Sequence, residues 1–417
     1  MANLKVAYIL LRFPCMTETF IAEEIQKIQD KGIEVCIYSL LEPRDTLVHP
    51  VSQSLLALAR TAPGFGSPSL WAAQFRFVIK SPGRYFKLLG TLLRQPAPGV
   101  SFYLKRFGVF LKSAWVAGDM EPRGIRMVHS HFAWLSAASA WVVSELLGLP
   151  FTVTTHAYDI YSERNDLLDL TTRKAARVIT ISQKNKRAML EQCNLLPEEK
   201  INVIHCGVDL SFFQAIGSDD EKTAGPMRIT SVGSLIPKKG HEHLIRACGR
   251  LKEWGVDFHC TIIGIGEQKD RLQALIDELG LQGKVELAGG RSQVWVRDQL
   301  TRSDVFALAC VQAGAGGQDG IPVAMMEALA MGVPVVSTPV SGIPEMVESE
   351  VSGLLVAERD EEQLAEAILR VREDSNLRQS LREGGWDVVA REYDIKRNVQ
   401  QLSEVFSEVV AKHERSD

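Results

Sequence analysis

The chain has 417 residues, of which 46% are hydrophobic and 24% are charged, and its formal net charge is −4. This length exceeds one ordinary hydrophobic core, so the composition predicts a soluble globular protein with two domains of roughly 200 residues each. No stretch approaches the ~20 apolar residues of a membrane-spanning helix, and the apolar run at residues 6–11 is too short for a signal peptide. We therefore expect neither a membrane span nor a cleaved leader.

The strands and helices of the chain follow from its apolar runs. The predicted strands are residues 6–11, 34–39, 127–130, 151–155, 178–182, 201–205, 228–232, 259–263, 284–287, 305–309 and 334–337. Near-continuous Val, Ile and Leu strands that alternate with helical patterns are typical of parallel sheets covered on both faces. Two such series predict an α/β protein with two doubly wound, Rossmann-like domains facing across a cleft. Ligands of open parallel sheets bind at the carboxyl ends of the strands, so we expect the chemistry in that cleft.

A polar, glycine-containing stretch at residues 217–222 separates the two series, and a new strand opens after Pro226. We therefore place an N-terminal domain at residues 1–215 and a C-terminal domain at residues 216–392. Residues 393–417 have apolar side chains at helical spacing and predict a last helix. We expect that helix to pack back on the N-terminal domain.

The window between Asp45 and Asp119 contains no acidic residue but nine basic and eleven aromatic ones. The basic residues are Arg60, Arg76, Lys80, Arg84, Lys87, Arg94, Lys105, Arg106 and Lys112. This composition predicts a helical insertion at about residues 60–118 whose helices lie on an anionic membrane surface. The alternative is an insertion packed on its own domain with a solvated basic face. No nucleic acid is expected, because the rest of the chain is anionic and carries no recognition motif.

The seven cysteines are scattered and never spaced as Cys-x-x-Cys. This pattern argues against a disulfide framework or a zinc site and indicates a reducing, cytoplasmic compartment. We expect the cysteines to be small buried side chains.

The most informative segment follows the predicted strand at residues 305–309. Its glycines let the backbone approach a ligand closely, and Pro322 suits the first turn of a helix. The free N–H groups and the dipole at that helix start form an anion site for a diphosphate. Two carboxylates, Asp319 and Glu327, bracket this site and can accept hydrogen bonds from sugar hydroxyls. The alternative is a glycine-rich loop that caps a plain core helix.

Together with the Ala-Leu-Ala-Met-Gly-Val-Pro-Val-Val-Ser run that follows it, this segment resembles the acidic-x7-acidic motif of the retaining GT-B glycosyltransferases of family four. The resemblance implies that Glu327 binds the ribose of the donor nucleotide and that Asp319 contacts the transferred hexose. It also implies that the amides of Gly320, Ile321 and Val323 lie near the diphosphate. This chain has Asp319 where the family usually has Glu.

A second segment, Ser-Val-Gly-Ser-Leu-Ile-Pro-Lys-Lys-Gly at residues 231–240, resembles the family's Gly-Arg-Leu…Lys-Gly element. The resemblance gives Lys239 a catalytic role against the diphosphate, with Lys238 beside it. Ser234 stands where the family has Arg. The loop that contains Gly264 and Glu267 resembles the strand-end loop that approaches the base of the donor nucleotide.

In the N-terminal domain, Thr-Thr-His-Ala-Tyr-Asp at residues 154–159 follows a buried strand. His156 resembles the family histidine that faces the donor sugar, although a lone histidine after a strand is more often structural. Thr17, Glu18 and Thr19 resemble the acceptor-side loop of exopolysaccharide and colanic-acid transferases. The His-Ser-His-Phe run at residues 129–132 suggests a metal, but no carboxylate pattern accompanies it in the sequence, so no metal site is expected.

The resemblance implies a hexosyltransferase that moves a hexose from a nucleotide-diphosphate sugar to a lipid-linked saccharide acceptor, with retention, in envelope or exopolysaccharide synthesis. We expect no cofactor, because Lys239 and the helix start can stabilise the leaving phosphate in place of a metal ion. The alternatives are a GT-B nucleotide-sugar epimerase or phosphorylase, and a non-catalytic nucleotide-sugar-binding subunit. A dinucleotide-dependent oxidoreductase is disfavoured, since no Gly-x-Gly-x-x-Gly follows the first strand.

Overall fold

A computed structural model describes residues 4–15, 18–44, 50–162, 166–214, 225–312 and 320–415. The chain divides into two compact units. The first unit contains Met1–Ile204 and Asn398–Asp417, and the second contains His205–Arg397. The boundary expected at residues 215–216 falls on a segment outside the described residues, and the end of the chain belongs to the first unit.

The first unit is built on seven parallel strands. They are β1 (Lys5–Arg12), β2 (Glu34–Leu41), β3 (Ala59–Thr61), β4 (Met127–His131), β5 (Phe151–Thr155), β6 (Arg177–Thr180) and β7 (Ile201–Val203). Their order in the sheet is β3-β2-β1-β4-β5-β6-β7. The central strand β1 pairs with β2 and β4 and is buried from Val6 to Leu10, because this apolar run can be covered on both faces.

Ten helices among the described residues contribute to this unit. They are α1 (Thr19–Asp30), α2 (Pro50–Ser54), α3 (Pro68–Lys80), α4 (Pro82–Arg94), α5 (Val100–Met120), α6 (Leu135–Leu147), α7 (Ala157–Tyr161), α8 (Leu168–Lys174), α9 (Gln183–Gln192) and, from the end of the chain, α17 (Ile395–Glu414). Most of α17 belongs to this unit, where its Phe406 lies against the rings of Tyr8 and His129.

The second unit is built on six parallel strands. They are β8 (Met227–Val232), β9 (Phe258–Ile263), β10 (Val285–Gly289), β11 (Val305–Leu308), β12 (Val335–Ser337) and β13 (Leu354–Leu355), in the order β10-β9-β8-β11-β12-β13. Its helices are α10 (His241–Glu253), α11 (Lys269–Glu278), α12 (Gln293–Thr301), α13 (Val323–Ala330), α14 (Ile343–Met346), α15 (Glu361–Glu373) and α16 (Ser375–Glu392).

The predicted fold class, two doubly wound parallel sheets, is confirmed. Every predicted strand overlaps an observed one, because each is an apolar run long enough to leave a pattern in the sequence. The prediction missed β3 and β13. These edge strands contain only three and two residues, which is too few for a recognisable apolar run.

The basic window forms the three helices α3, α4 and α5. Their inner faces pack into the core of the first unit, with Phe77, Tyr85, Leu88, Leu92 and Phe110 buried. The insertion therefore packs on its own unit, as the alternative interpretation expected, while its outer faces carry exposed aromatic and aliphatic side chains. Within the described residues, none of the helices combines the length and the apolarity needed to cross a bilayer.

Candidate active site

Two loops of the second unit lie main chain against main chain at the carboxyl ends of neighbouring strands. After β8, Gly233 N donates to Ile263 O and Leu235 N donates to Ile265 O, both at 2.9 Å. A Cβ added to Gly264 would lie 1.9 Å from Gly233 O, and one added to Gly266 would lie 2.4 Å from Leu235 O. Glycine is therefore required at both positions by the close approach of the backbone. This contact places the loop of Ser234 beside the loop of Gly264.

The turn at residues 237–239 lies at the same edge of the sheet, against the segment that follows β11. The turn that contains Lys238 and Lys239 ends at Gly240, which has a φ of 65° and an added Cβ only 1.7 Å from Ala309 O. Val311 N donates to Lys238 O at 3.0 Å, so the lysine turn is fixed to the segment that follows β11. The stem of Lys239 lies over Gly233, whose added Cβ would be 3.3 Å from Lys239 Cδ.

His241 is a residue of this edge that sequence reasoning missed. Its ring is buried, with Nε2 3.3 Å from Gly233 O and Nδ1 3.5 Å from Ser231 Oγ. Because a carbonyl oxygen only accepts, Nε2 carries the proton. Burial, followed by the charge of Lys239, lowers the pKa of His241 to about 4. A neutral histidine thus anchors the loop under Lys239, and its place directly after the Lys-Gly element was the available signal.

Helix α13 begins after Pro322, which is the residue before the first helical one rather than a first-turn residue. Glu327 lies one turn into this helix and is 9% exposed, and Ile321 is buried just before it. The hydroxyl of Ser337 donates to Leu308 O at 2.7 Å and so ties β12 to the end of β11. The same hydroxyl lies 4.0 Å from Met325 Sδ, so the first turn of α13 lies beside the end of β12.

The predicted donor residues that the structure describes fall into two groups. Main-chain hydrogen bonds join the segments of Ser234, Gly264 and Lys238, and Glu267 is exposed on the loop after β9. Gly320, Ile321 and Val323 lead into α13. Asp319 lies outside the described residues.

In the first unit, a hydrogen-bonded cluster surrounds His156. His131, at the end of β4, has Nδ1 3.1 Å from His156 Nε2 and Nε2 3.1 Å from Glu24 Oε1. Tyr8 of β1 donates its hydroxyl to the same Glu24 oxygen at 3.0 Å. Glu24 comes from α1, which starts at Thr19 directly after Glu18, whereas Thr17 lies outside the described residues.

His156 also forms the N-cap of α7. Asp159 Oδ1 accepts from His156 N at 2.6 Å, and the His156 side chain accepts from the backbone N–H of Asp159. Asp159 Oδ2 accepts from Ala133 N at 2.5 Å, which ties the loop after β4 to the loop after β5. Burial raises the pKa of Asp159 to about 7, although these backbone N–H groups oppose the rise. Burial holds the pKa of His156 well below its usual range.

Among the described residues, Glu24, His129 and His131 form a group whose possible ligand atoms lie within 4.8 Å of one another. The premise that no carboxylate accompanies the two histidines is therefore wrong, because α1 brings Glu24 to them from a distant part of the sequence. The two ring nitrogens of His129 lie 2.8 and 3.3 Å from the hydroxyls of Thr152 and Thr154. Hydrogen bonds thus already engage these side chains. That no metal is required stays a prediction.

The two halves of the chain match two glycosyltransferase families. Residues 17–212 match Glycosyltransferase Family 4, and residues 215–387 match Glycosyl transferases group 1. WcaL of Escherichia coli strain K12, named for colanic acid biosynthesis, is 34% identical over 88% of this chain and 90% of its own length. The chain belongs to the family-four glycosyltransferases.

Other similar proteins agree with this assignment. The amylovoran biosynthesis glycosyltransferase AmsK of Erwinia amylovora is 32% identical to this glycosyltransferase over 88% of the chain and 90% of its own length. The crystal structure of HepE from Anabaena, in complex with UDP and glucose, covers 97% of the chain and 100% of HepE with a TM-score of 0.71 at 18% identity. This similarity shows the GT-B fold. The resemblance seen in the sequence motifs is confirmed.

The glycine contact between the two donor-side loops generates a prediction. Replacing Gly266 with Ala places a methyl group against the backbone of Leu235, so the loops must separate, which typically costs about 1–3 kcal/mol of stability. We expect Gly266→Ala to lower the thermal unfolding midpoint and to weaken nucleotide-sugar binding in calorimetry. Gly249→Ala is the control, because its added Cβ meets only Leu279 Cδ1 at 3.6 Å within α10. If Gly266→Ala and Gly249→Ala have the same unfolding midpoint and the same affinity for the nucleotide-sugar, Gly266 is not required by a close backbone contact.

The neutral state of His241 generates a prediction about pH. The folded-state pKa is about 4 against an ordinary value of 6.5, so the unfolded chain takes up a proton that the folded chain does not. Stability from this group is complete above pH 6.5 and is lost as the pH falls toward 4, by about 3 kcal/mol in total. We expect the gap in urea midpoint between the wild type and His241→Asn to narrow over that pH range. A gap in urea midpoint that stays constant between pH 6.5 and 4 would show that folding does not lower the pKa of His241.

Proposed function

We propose that this glycosyltransferase is a retaining hexosyltransferase that uses a nucleotide-diphosphate sugar. The observation that carries the proposal is the donor-side edge of the second unit. There, two glycine loops lie backbone to backbone under the stem of Lys239, and α13 begins after the neighbouring strand β11. Exposed backbone near a lysine and a helix start is suited to hold a diphosphate.

The proposed step breaks the bond between the anomeric carbon and the diphosphate, whose oxygen keeps the electron pair. A bond from the acceptor oxygen forms on the same face of the sugar, and the acceptor proton goes to an oxygen of the leaving diphosphate. Lys239, with Lys238 beside it, stabilises the charge that develops on the diphosphate. His241 supports this role, because a neutral ring anchors Gly233 without adding a second buried charge under Lys239.

The individual residue roles rest on the matched motifs. We propose that Glu327 binds the ribose of the donor and that Asp319 and His156 contact the transferred hexose. We propose that the amides of Gly320, Ile321 and Val323 face the diphosphate. Ser234 stands where the family element has an arginine, so we propose that Lys238 and Lys239 supply the missing positive charge. We propose that no metal ion is needed for the transfer.

The acceptor is proposed to be a lipid-linked saccharide of exopolysaccharide synthesis at the cytoplasmic face of the membrane. The names of WcaL and AmsK, which concern colanic acid and amylovoran, support this acceptor class. The seven cysteines all lie within the described residues and form no disulfide, which is consistent with a reducing compartment.

The surface of the insertion supports a membrane partner. On α3 the exposed apolar residues Trp71, Phe75 and Ile79 recur every four positions, and on α5 the exposed residues Val100, Leu104 and Phe107 recur at intervals of four and three. Each set forms one stripe along its helix, on the side away from the core. Contiguous apolar stripes flanked by cations fit an anionic lipid surface.

The charge on that surface comes from fewer residues than the sequence suggested. Arg106 and Lys112 are buried and donate to backbone carbonyls. Arg60 pairs with Asp119, and both Arg76 and Lys80 pair with Glu121. Exposed on the outer surface are Arg84, Lys87, Arg94 and Lys105. We therefore propose that the apolar stripes provide most of the membrane affinity and that these cations select anionic lipid.

The proposed function is tested with the purified chain and a panel of UDP-, GDP-, ADP- and dTDP-hexoses, with and without a lipid extract. Release of the nucleotide together with a glycosylated lipid supports a transferase, and NMR of the product identifies retention from the anomeric coupling. Binding without turnover of any sugar in the presence of the extract would contradict the proposal and favour a non-catalytic binding subunit. Interconversion of the free nucleotide-sugar would favour an epimerase.

Glu327→Ala is expected to weaken donor binding by about 2–4 kcal/mol, because it removes a charged hydrogen-bond partner of the ribose. Calorimetry with the best donor of the panel measures the loss. Glu366→Ala is the control, since that glutamate is exposed on α15 of the same unit. An unchanged affinity in a folded Glu327→Ala protein would remove the ribose assignment.

Membrane binding is tested by co-sedimentation with anionic and neutral vesicles over a salt series. We expect Phe75→Ser combined with Ile79→Ser to abolish most binding at every salt concentration. Lys87→Gln combined with Lys105→Gln should weaken binding to anionic vesicles by about 2 kcal/mol, near 30-fold, because each cation contributes about 1 kcal/mol. Leu195→Ser, an exposed leucine of the same unit outside the insertion, is the control. If both double variants bind vesicles as well as the wild type does, this surface is not the membrane contact.

A further inference from the structure

We propose that Glu24 and His131 are positioning residues that fix the tautomer of His156 through a one-way chain of hydrogen bonds. The inference rests on the proposed role of His156 beside the transferred sugar. It gives Glu24 and His131 a role that the sequence motifs did not assign to them. The chain runs from the start of α7 through two imidazole rings to a carboxylate on α1.

The direction of the chain is set by a backbone group. The N–H of Asp159 donates to the His156 side chain in the cap of α7, and a backbone N–H has no other role than donor. His156 Nε2 contacts His131, so the capping nitrogen is Nδ1, the one nearer the backbone. Nδ1 must therefore carry a lone pair. In a neutral ring the proton is then on Nε2.

The remaining links follow from this first one. His156 Nε2 donates to His131 Nδ1 at 3.1 Å, so His131 Nδ1 is also without a proton. A neutral His131 thus has its proton on Nε2, which faces Glu24 Oε1 at 3.1 Å. A carboxylate oxygen accepts, and the same atom accepts from the Tyr8 hydroxyl at 3.0 Å. Burial, followed by the charge of Glu24, holds the pKa of Tyr8 well above its usual range, so this phenol stays a donor.

In any other arrangement of protons, two N–H donors point at each other. A His131 proton on Nδ1 would point at the Nε2–H of His156, or would force the His156 proton onto Nδ1 against the backbone N–H of Asp159. With both rings protonated on Nε2, the last donor of the chain is His131 Nε2–H, and Glu24 is its acceptor. A buried donor without an acceptor costs roughly 1–3 kcal/mol, so Glu24 stabilises the arrangement that holds both rings in place.

The surroundings of the chain keep it isolated. His129, with its ring centre 5.0 Å from that of His131, points its own nitrogens at Thr152 and Thr154 and takes no part. Phe20 and Phe132 lie against the His156 ring, with centroids 5.1 and 4.6 Å away. Asp159, a titratable group beside the backbone of His156, is held by backbone N–H groups.

The fixed tautomer has a consequence for the proposed reaction. An imidazolium beside the sugar would oppose the positive charge that develops at the anomeric carbon in the transition state. A neutral ring held by a backbone N–H on one side and His131 on the other avoids that repulsion and cannot rotate freely. Glu24, at the far end of the chain, contributes its negative charge on the favourable side.

The test combines ring NMR and kinetics on the full chain labelled with ¹⁵N-histidine. Long-range ¹H–¹⁵N correlations report which ring nitrogen carries the proton, and His156→Asn and His131→Asn assign the signals. We expect protonated Nε2 and bare Nδ1 in both rings of the wild type. Glu24→Ala leaves the Nε2–H of His131 without its acceptor, so we expect the His131 ring signals to shift or broaden. We expect kcat to fall about 10- to 100-fold, as it does when a metal-ligating histidine loses the partner that orients it. The donor KM should change little.

Glu24→Gln separates orientation from simple structural damage. Its amide oxygen can still accept from His131, so we expect it to restore the wild-type ring pattern and most of kcat. Asp30→Asn, an exposed carboxylate on the same helix, is the control for α1. A wild-type His156 with its proton on Nδ1, or a Glu24→Ala protein with unchanged His131 ring signals, overturns the inference. Stoichiometric metal in the wild type that is lost in Glu24→Ala overturns it in favour of a metal site.

The two proposals fail separately. If the wild type turns over no nucleotide-sugar, the proposed function fails, while the NMR pattern still decides whether the chain of hydrogen bonds exists. If turnover is found and Glu24→Ala changes the His131 ring signals but leaves kcat unchanged, the positioning role is wrong and the proposed function stands.

Discussion

The structure depends on the burial of parallel strands on both faces, which leaves polar chemistry mainly at the strand ends. In the second unit the strand-end loops approach so closely that backbone hydrogen bonds replace side-chain packing, and Gly264 and Gly266 are required for that approach. In the first unit His131 and His156 occupy the ends of β4 and β5. Both groups of candidate site residues therefore follow from where the apolar runs stop.

Both edges use a buried neutral histidine anchored to the backbone. His241 donates to the carbonyl of Gly233, and His156 accepts from the amide of Asp159. Burial lowers the pKa of each ring, so neither adds a positive charge at neutral pH. Backbone groups have a fixed role as donor or acceptor, which makes them better than side chains at selecting one tautomer. Positive charge at the donor-side edge is thereby concentrated on the lysines of the 237–239 turn.

The sequence predicted the two sheets because long apolar runs carry their own signal, and it predicted the donor-side loops because glycine and lysine motifs are local. It could not predict the partners of His156. Glu24 sits on an amphipathic helix, where a glutamate normally faces solvent, and only the packing of α1 against the sheet brings it to His131. Arg106 was likewise counted as a surface charge, although its guanidinium is buried against backbone carbonyls.

The insertion shows why a charge count alone is a weak guide to a surface. Its window has no acidic residue of its own, yet Asp119 and Glu121 at its end pair with Arg60, Arg76 and Lys80. The regular spacing of exposed apolar residues on α3 and α5 is the stronger signal. The core accounts for the inner faces of these helices, whereas the outer stripes stay exposed among the described residues. The affinity of the proposed membrane contact should therefore depend on buried apolar area more than on salt.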